Sequence, residues 1–162
     1  MKYVRWIFVA ILLFSLTAFI NKGQSTSGLG VGNSAPDFSL TGLDDELCLK
    51  ALRGHYVLLS FWASYDASAR MNNALLDHTV KKLPQCIEMV SVSFDEYTSI
   101  FDETIKQDQL EDSHCYVETS GEASDLYKQY QLSKGFRSFL LDKQGLIIAV
   151  NVTAENLLDY ID

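Results

Sequence analysis

The stretch Tyr56-Val57-Leu58-Leu59-Ser60-Phe61-Trp62 is apolar at nearly every position and runs straight into a turn of mostly small residues. A strand with one wet face alternates polar and apolar side chains, whereas a strand covered on both faces reads as a continuous run. The chain must therefore lay structure on both sides of a sheet that holds this strand in its interior. A helix is expected over 67–82, where Met71, Leu75, Leu76, Thr79 and Leu83 recur at helical spacing and Pro84 follows as a stop. A second central strand is expected over 87–94, parallel to the first because such crossovers are right-handed.

Weaker signals surround this unit. A short strand at 37–40 leads through Thr41-Gly42-Leu43-Asp44-Asp45 to another at 46–49. A second helix is expected over 99–109 with Ile100, Phe101 and Ile105 inward, then a short strand at Cys115-Tyr116-Val117. A third helix over 122–130 would bury Ala123, Leu126, Tyr127 and Tyr130. Two strands, 139–142 and 146–150, flank the turn Lys143-Gln144-Gly145 as an antiparallel hairpin. Thr153 is expected to cap a closing helix with Leu157, Leu158 and Ile161.

The first residues read differently. Lys2 and Arg5 precede an apolar run over 6–20, and polar, Gly/Ser-rich residues follow. Positive start, apolar middle and flexible exit describe a secretion signal. The run falls short of the roughly 20 residues that span a bilayer, and Leu16-Thr17-Ala18 is an imperfect cleavage site. Residues 1–22 are thus read as a signal peptide or an uncleaved membrane anchor, 23–30 as a linker and 31–162 as one folded domain. The expected location is extracytoplasmic, periplasmic or cell-envelope.

A net charge of −8 and a hydrophobic content of 48 % describe a globular, acidic chain. Nucleic acid is not an expected partner, since phosphate binding is driven by clustered Lys and Arg. The three cysteines, Cys48, Cys86 and Cys115, are far apart and form no CxxC pair. They read as small buried hydrophobes, with one structural disulfide as the alternative. His114 and His78 stand near none of the paired spacings of zinc sites, so neither a metal nor another cofactor is expected. Ser68 has no histidine at a placeable distance and reads as an ordinary helix-start residue.

Phe61-Trp62-Ala63-Ser64-Tyr65-Asp66-Ala67-Ser68-Ala69-Arg70, with its strand before and helix after, resembles the active-site segment of the TlpA/ResA type of thiol-disulfide oxidoreductases. In that family the pattern reads F-W-A-S-W-C-x-x-C-R. The resemblance extends to Gly32-Asn33-Ser34-Ala35-Pro36-Asp37-Phe38-Ser39-Leu40, to Leu49-Lys50-Ala51-Leu52-Arg53-Gly54 and to the stretch 130–142. It implies a thioredoxin-like α/β fold, a central mixed β-sheet flanked by helices, and the element order above is that arrangement.

The same alignment puts Asp66 at the first cysteine, Ala69 at the second, Asn72 at a frequently acidic position and Phe136 at the cis-proline. A thiolate at a helix N-terminus is the nucleophile of such a site, and the second thiol resolves the mixed disulfide. A carboxylate keeps the charge, and Asp66 is a candidate N-cap, but it forms no disulfide. A non-proline cis bond costs about 3–4 kcal/mol, so a trans peptide is expected before Phe136. The resemblance therefore implies a redox-inactive scaffold that binds a protein or peptide through Trp62, Tyr65, Asp66 and Phe136. Trp62 and Phe136 fit the core equally well. The alternative is an oxidoreductase or antioxidant protein using a non-standard cysteine such as Cys115, beside His114.

Overall fold

The computed structural model describes residues 28–41, 46–83, 87–110 and 115–161. The expected leader, Cys86 and His114 lie outside them.

Five strands form one mixed sheet in the order β5-β4-β3-β6-β7: β3 is Tyr56–Trp62, β4 Ile87–Ser93, β5 Cys115–Val117, β6 Ser138–Leu141 and β7 Ile147–Val150. β3 pairs in parallel with β4, and β4 with β5, while β6 runs antiparallel to both β3 and β7. β1 (Ser39–Thr41) and β2 (Glu46–Cys48) make a separate antiparallel pair. Near the start of the described chain, Gly32 and Ala35 donate to Ile147 and Gly145, which ties this segment to the sheet beside β7.

The apolar continuity of β3 has the expected cause. Val57, Leu59 and Phe61 point into one core, and Leu58 and Trp62 into cores on the other face. On the first face Phe61 meets Tyr130, Phe94 and Phe139 at centroid separations of 4.7–6.1 Å. Full burial of side chains this size contributes on the order of 2 kcal/mol each. The Tyr130 hydroxyl donates to the Pro36 carbonyl at 2.7 Å, fastening the early chain over this core.

Helix α1 (Ala67–Val80) and helix α2 (Thr98–Asp108) cover the second face, and the short α3 (Asp125–Gln129) covers the first. The inward face of α1 differs from the one expected. Met71 and Leu75 are 64 % and 50 % exposed, while Leu76, Asn73 and Asp77 are buried, with Ala69 and Ala74 packed beneath. Apolar residues on this helix outline two overlapping stripes, and tertiary bonds choose between them. Asn73 accepts from the Ser91 hydroxyl at 2.9 Å, and Asn72 donates to the Val152 carbonyl at 3.1 Å.

Three further expectations are corrected. Ile100 is exposed at the start of α2, where only Phe101, Thr104 and Ile105 are buried. The third helix is split, because Ser124 adopts an extended conformation and caps Leu126; Ala123 is left exposed in a 3₁₀ turn. The segment after β7 closes with turns and a 3₁₀ stretch, Leu157–Tyr160, not an α-helix. Its first turn is held by Asn156, whose side chain accepts from the Thr153 amide, and Leu158 faces solvent.

Candidate functional site

The C-terminal end of β3, the start of α1 and the loop before β6 converge on one side of the sheet. Asp66 has extended backbone and is the N-cap of α1. Its Oδ1 accepts from the amides of Ser68 and Ala69 at 3.1 and 3.0 Å and from the Ser68 hydroxyl at 2.8 Å. These bonds, that of Ala69 first, hold its carboxyl below the usual carboxylate range. The group is an anion whose Oδ1 is directed at its own helix. Ala69 is half-buried against the cluster of Trp62 and Phe101. The carboxylate and the methyl thus leave no group able to form or resolve a disulfide at either position.

A buried carboxylate lies beneath the loop that sequence reading passed over. Asp95 follows β4 and accepts from the Ser64 amide and hydroxyl at 3.0 and 2.6 Å, and from the Ser93 hydroxyl at 2.7 Å. It fixes the loop that presents Tyr65 and Asp66. The signal available was an acid directly after an apolar strand, at the same sheet end as the turn after β3. Arg70 secures the other side: its guanidinium grips Asp108 through two bonds of 2.6 and 2.7 Å and reaches Gln107 at 2.9 Å.

Of the four residues expected to form a binding surface, three do share one face. Tyr65 is 71 % exposed, and its ring lies 6.2 Å from that of Phe136. Phe136 is half-buried, stacked on Phe94 at 5.8 Å and edge-on to Tyr127 at 6.3 Å. Asp66 begins the adjoining helix. Trp62 is not part of this surface: it is fully buried, with its indole N–H donated to the Ser91 hydroxyl at 2.8 Å. The period of two places it opposite Phe61, under α1 and α2, where the ring has room and a partner.

No cis peptide bond occurs among the described residues, Phe136 included. The loop reaches it through Gly135, whose φ of 111° suits glycine, and then joins β3 where the Phe61 amide donates to the Arg137 carbonyl. Between Ser68, Ala69 and Asn72 on one side and Phe136, Arg137 and Val152 on the other runs an open cleft of about 250 Å³.

The described cysteines stand apart from this cleft. Cys48 ends β2 in the separate strand pair. Cys115 is half-buried at the start of β5, in register with Ser91 and through it with Ser60. It lies two strands, roughly 10 Å, from β3 and short of the strand end where α1 begins. Among the described residues no three metal-ligating side chains are grouped.

Strand order, crossover and the helix beginning at the end of β3 define a thioredoxin-like protein. Sequence comparison matches no family model and no curated protein. Solved structures do match. A thioredoxin-like protein from Parabacteroides distasonis is 41 % identical, with 83 % of this chain and 96 % of that one covered at a TM-score of 0.74. A thiol-disulfide oxidoreductase from Bacteroides fragilis is 30 % identical over 78 % of this chain and 96 % of that one, at 0.68. The thioredoxin domain of a Bacteroides vulgatus thiol-disulfide oxidoreductase, 21 % identical with 82 % and 95 % covered at 0.70, matches in fold. The chain belongs to the thioredoxin-like family of thiol-disulfide oxidoreductases.

Proposed function

We propose that this protein is an exported member of its family that has left thiol exchange and binds an extended protein segment across the cleft beside Asp66. One observation carries the reading: the carboxylate at the first cysteine position is bonded to the amide of Ala69, the residue at the second. An ionised side chain still sits at the positive end of a helix, where a thiolate would be favoured. It has no sulfur to attack with. The surrounding fold is held in place, with Ser64 fixed to Asp95 and Arg70 clamped on Asp108. An open cleft beside exposed Tyr65 and half-buried Phe136 favours binding, since aromatic side chains are preferred anchors. Export rests on Lys2, Arg5 and the apolar run that follows them.

Insulin reduction by the full-length protein in dithiothreitol tests the first half. The expected rate is that of dithiothreitol alone. Turnover comparable to a CxxC thioredoxin, abolished by Cys115→Ser, would instead assign the chemistry to a remaining thiol. Fractionation of expressing cells tests export; recovery of the protein in the cytoplasm overturns it.

A further inference from the structure

The cleft between the start of α1 and the loop before β6 has used up its nearest backbone acceptors. The Val152 carbonyl accepts from Asn72 Nδ2 at 3.1 Å and from the Ser138 hydroxyl at 2.7 Å. The Ser138 carbonyl accepts from the Asn151 amide, and the Arg137 carbonyl from the Phe61 amide. The Ser68 hydroxyl is donated to Asp66. Asn151 and Thr153, both exposed, add neutral side chains that donate or accept equally well. The sign of the cleft is therefore set by Arg137, half-buried and the only charged one among the described residues that line it.

Two arginines stand at this end of the sheet, and the chain treats them differently. Arg70 is saturated by the two-pronged bond to Asp108 and by Gln107. Arg137 enters no ion pair and no side-chain hydrogen bond among the described residues. A guanidinium stays charged at any ordinary pH, and partial burial strips water from it with no carboxylate in return. Its backbone is held in place: the carbonyl binds the Phe61 amide at 3.0 Å, Ser138 pairs with Ser60 in β3, and Phe136 is stacked on Phe94. Asp66 caps α1 nearby without lining the cleft, and its Oδ1 is taken by Ser68 and Ala69. A second hollow, lined by Glu122, Lys128 and Lys134 among others, carries two cations to one anion. A planar guanidinium fork matches a carboxylate through two parallel hydrogen bonds.

We propose that Arg137 recognises an aspartate or glutamate side chain on the bound segment, with Asn151 and Thr153 as further donors on the cleft wall. This rests on the binding role proposed above and names the chemistry of the partner: an extended segment carrying an acidic residue among apolar ones. The apolar part lies against Tyr65 and Phe136, whose rings are 6.2 Å apart beside the cleft. Because the cleft is open, the segment continues through it and offers a side chain, not its end.

Titration of the isotopically labelled full-length protein with acetylated, amidated hexapeptides tests it. Three of them carry two glutamates, two glutamines or two lysines between leucines, and a fourth has the glutamine sequence with a free C-terminal carboxylate. The glutamate peptide is expected to bind roughly tenfold more tightly than the amidated glutamine peptide, with shifts at Arg137, Ser138 and Thr153. The net charge of −8 works against any acidic ligand, so such a preference has to come from the site. Arg137→Gln should bring the two peptides to equal affinity, and Arg137→Lys should keep only part of the difference. High salt gives a second reading on the unaltered protein, where the preference should fall severalfold. Equal or tighter binding of the amidated glutamine or lysine peptide at the cleft overturns the acidic preference and leaves the binding role standing. A glutamate preference that survives Arg137→Gln overturns the assignment to that residue. Tightest binding by the free-carboxylate peptide gives the cleft to a chain end and overturns the side-chain occupant. No perturbation of the cleft by any peptide overturns both proposals.

Discussion

The Oδ1 of Asp66 lies 3.0 Å from the amide nitrogen of Ala69, so the two residues that the sequence resemblance sets at the family's cysteine positions are joined to each other by a hydrogen bond. On the function proposed above, a helix cap stands where the family has its redox pair. The cap and its surroundings have measurable consequences.

Removing the cap should cost stability. Asp66→Ala is expected to destabilise the fold by about 1 kcal/mol, read as a lower urea midpoint with an unchanged slope. Because the Asp66 pKa is lowered in the folded state, its contribution is complete above the ordinary Asp value of 3.8. It is lost as pH falls through the folded-state value. The difference between wild type and Asp66→Asn should therefore shrink on acidification. A difference that grows at low pH would contradict this assignment.

Restoring both sulfurs tests the scaffold. Asp66→Cys with Ala69→Cys is expected to reduce insulin above the dithiothreitol background, since the helix start favours a thiolate. The rate should stay below that of a CxxC thioredoxin because the sequence resemblance sets Phe136 where the family has its cis-proline. Changing Phe136 to Pro in this background should raise it. An inactive double-cysteine variant that folds normally would mean the site has diverged beyond its two thiols.

Asp95 is the most consequential polar residue beneath the loop. Asp95→Ala strips acceptors from the Ser64 amide and the Ser93 hydroxyl and should cost about 2–3 kcal/mol. Hydrogen exchange should rise first at Ser64, Tyr65 and Asp66 if the loop is what this residue holds.

The Arg70 clamp should show coupling. In a double-mutant cycle, Arg70→Ala and Asp108→Ala are expected to interact by roughly 1 kcal/mol, given the two-pronged geometry and partial burial. Arg70→Lys should recover only part of it, because an ammonium cannot reproduce the fork.

Tyr130 supplies a high-pH signature. Burial, with Asp37 nearby, pushes its pKa far above the ordinary tyrosine value of 10.0. The unfolded chain ionises first, so this contribution is intact below pH 10 and stability falls as pH rises above it. A spectrophotometric titration should show one tyrosine that ionises only when the protein unfolds.

The amino-acid order alone carried the architecture. A continuous apolar strand requires cover on both faces, and the resemblance of the surrounding motifs to the TlpA/ResA type supplied the topology. The hairpin around Gly145, the strand at Cys115 and the capping role of Asp66 were all legible, because each depends on neighbours a few residues away. Which stripe of α1 faces inward was not, since Met71 and Leu75 match the helical period as well as Leu76 does. That choice came from Asn72, Asn73 and Arg70 bonding to residues 18–80 positions distant. Trp62 was likewise ambiguous until α2 was seen to cover it, and Asp95 had no visible role until the sheet brought Ser64 beside it. Local periodicity constrains elements; long-range hydrogen bonds and packing decide their rotation, and with it which side chains reach the surface.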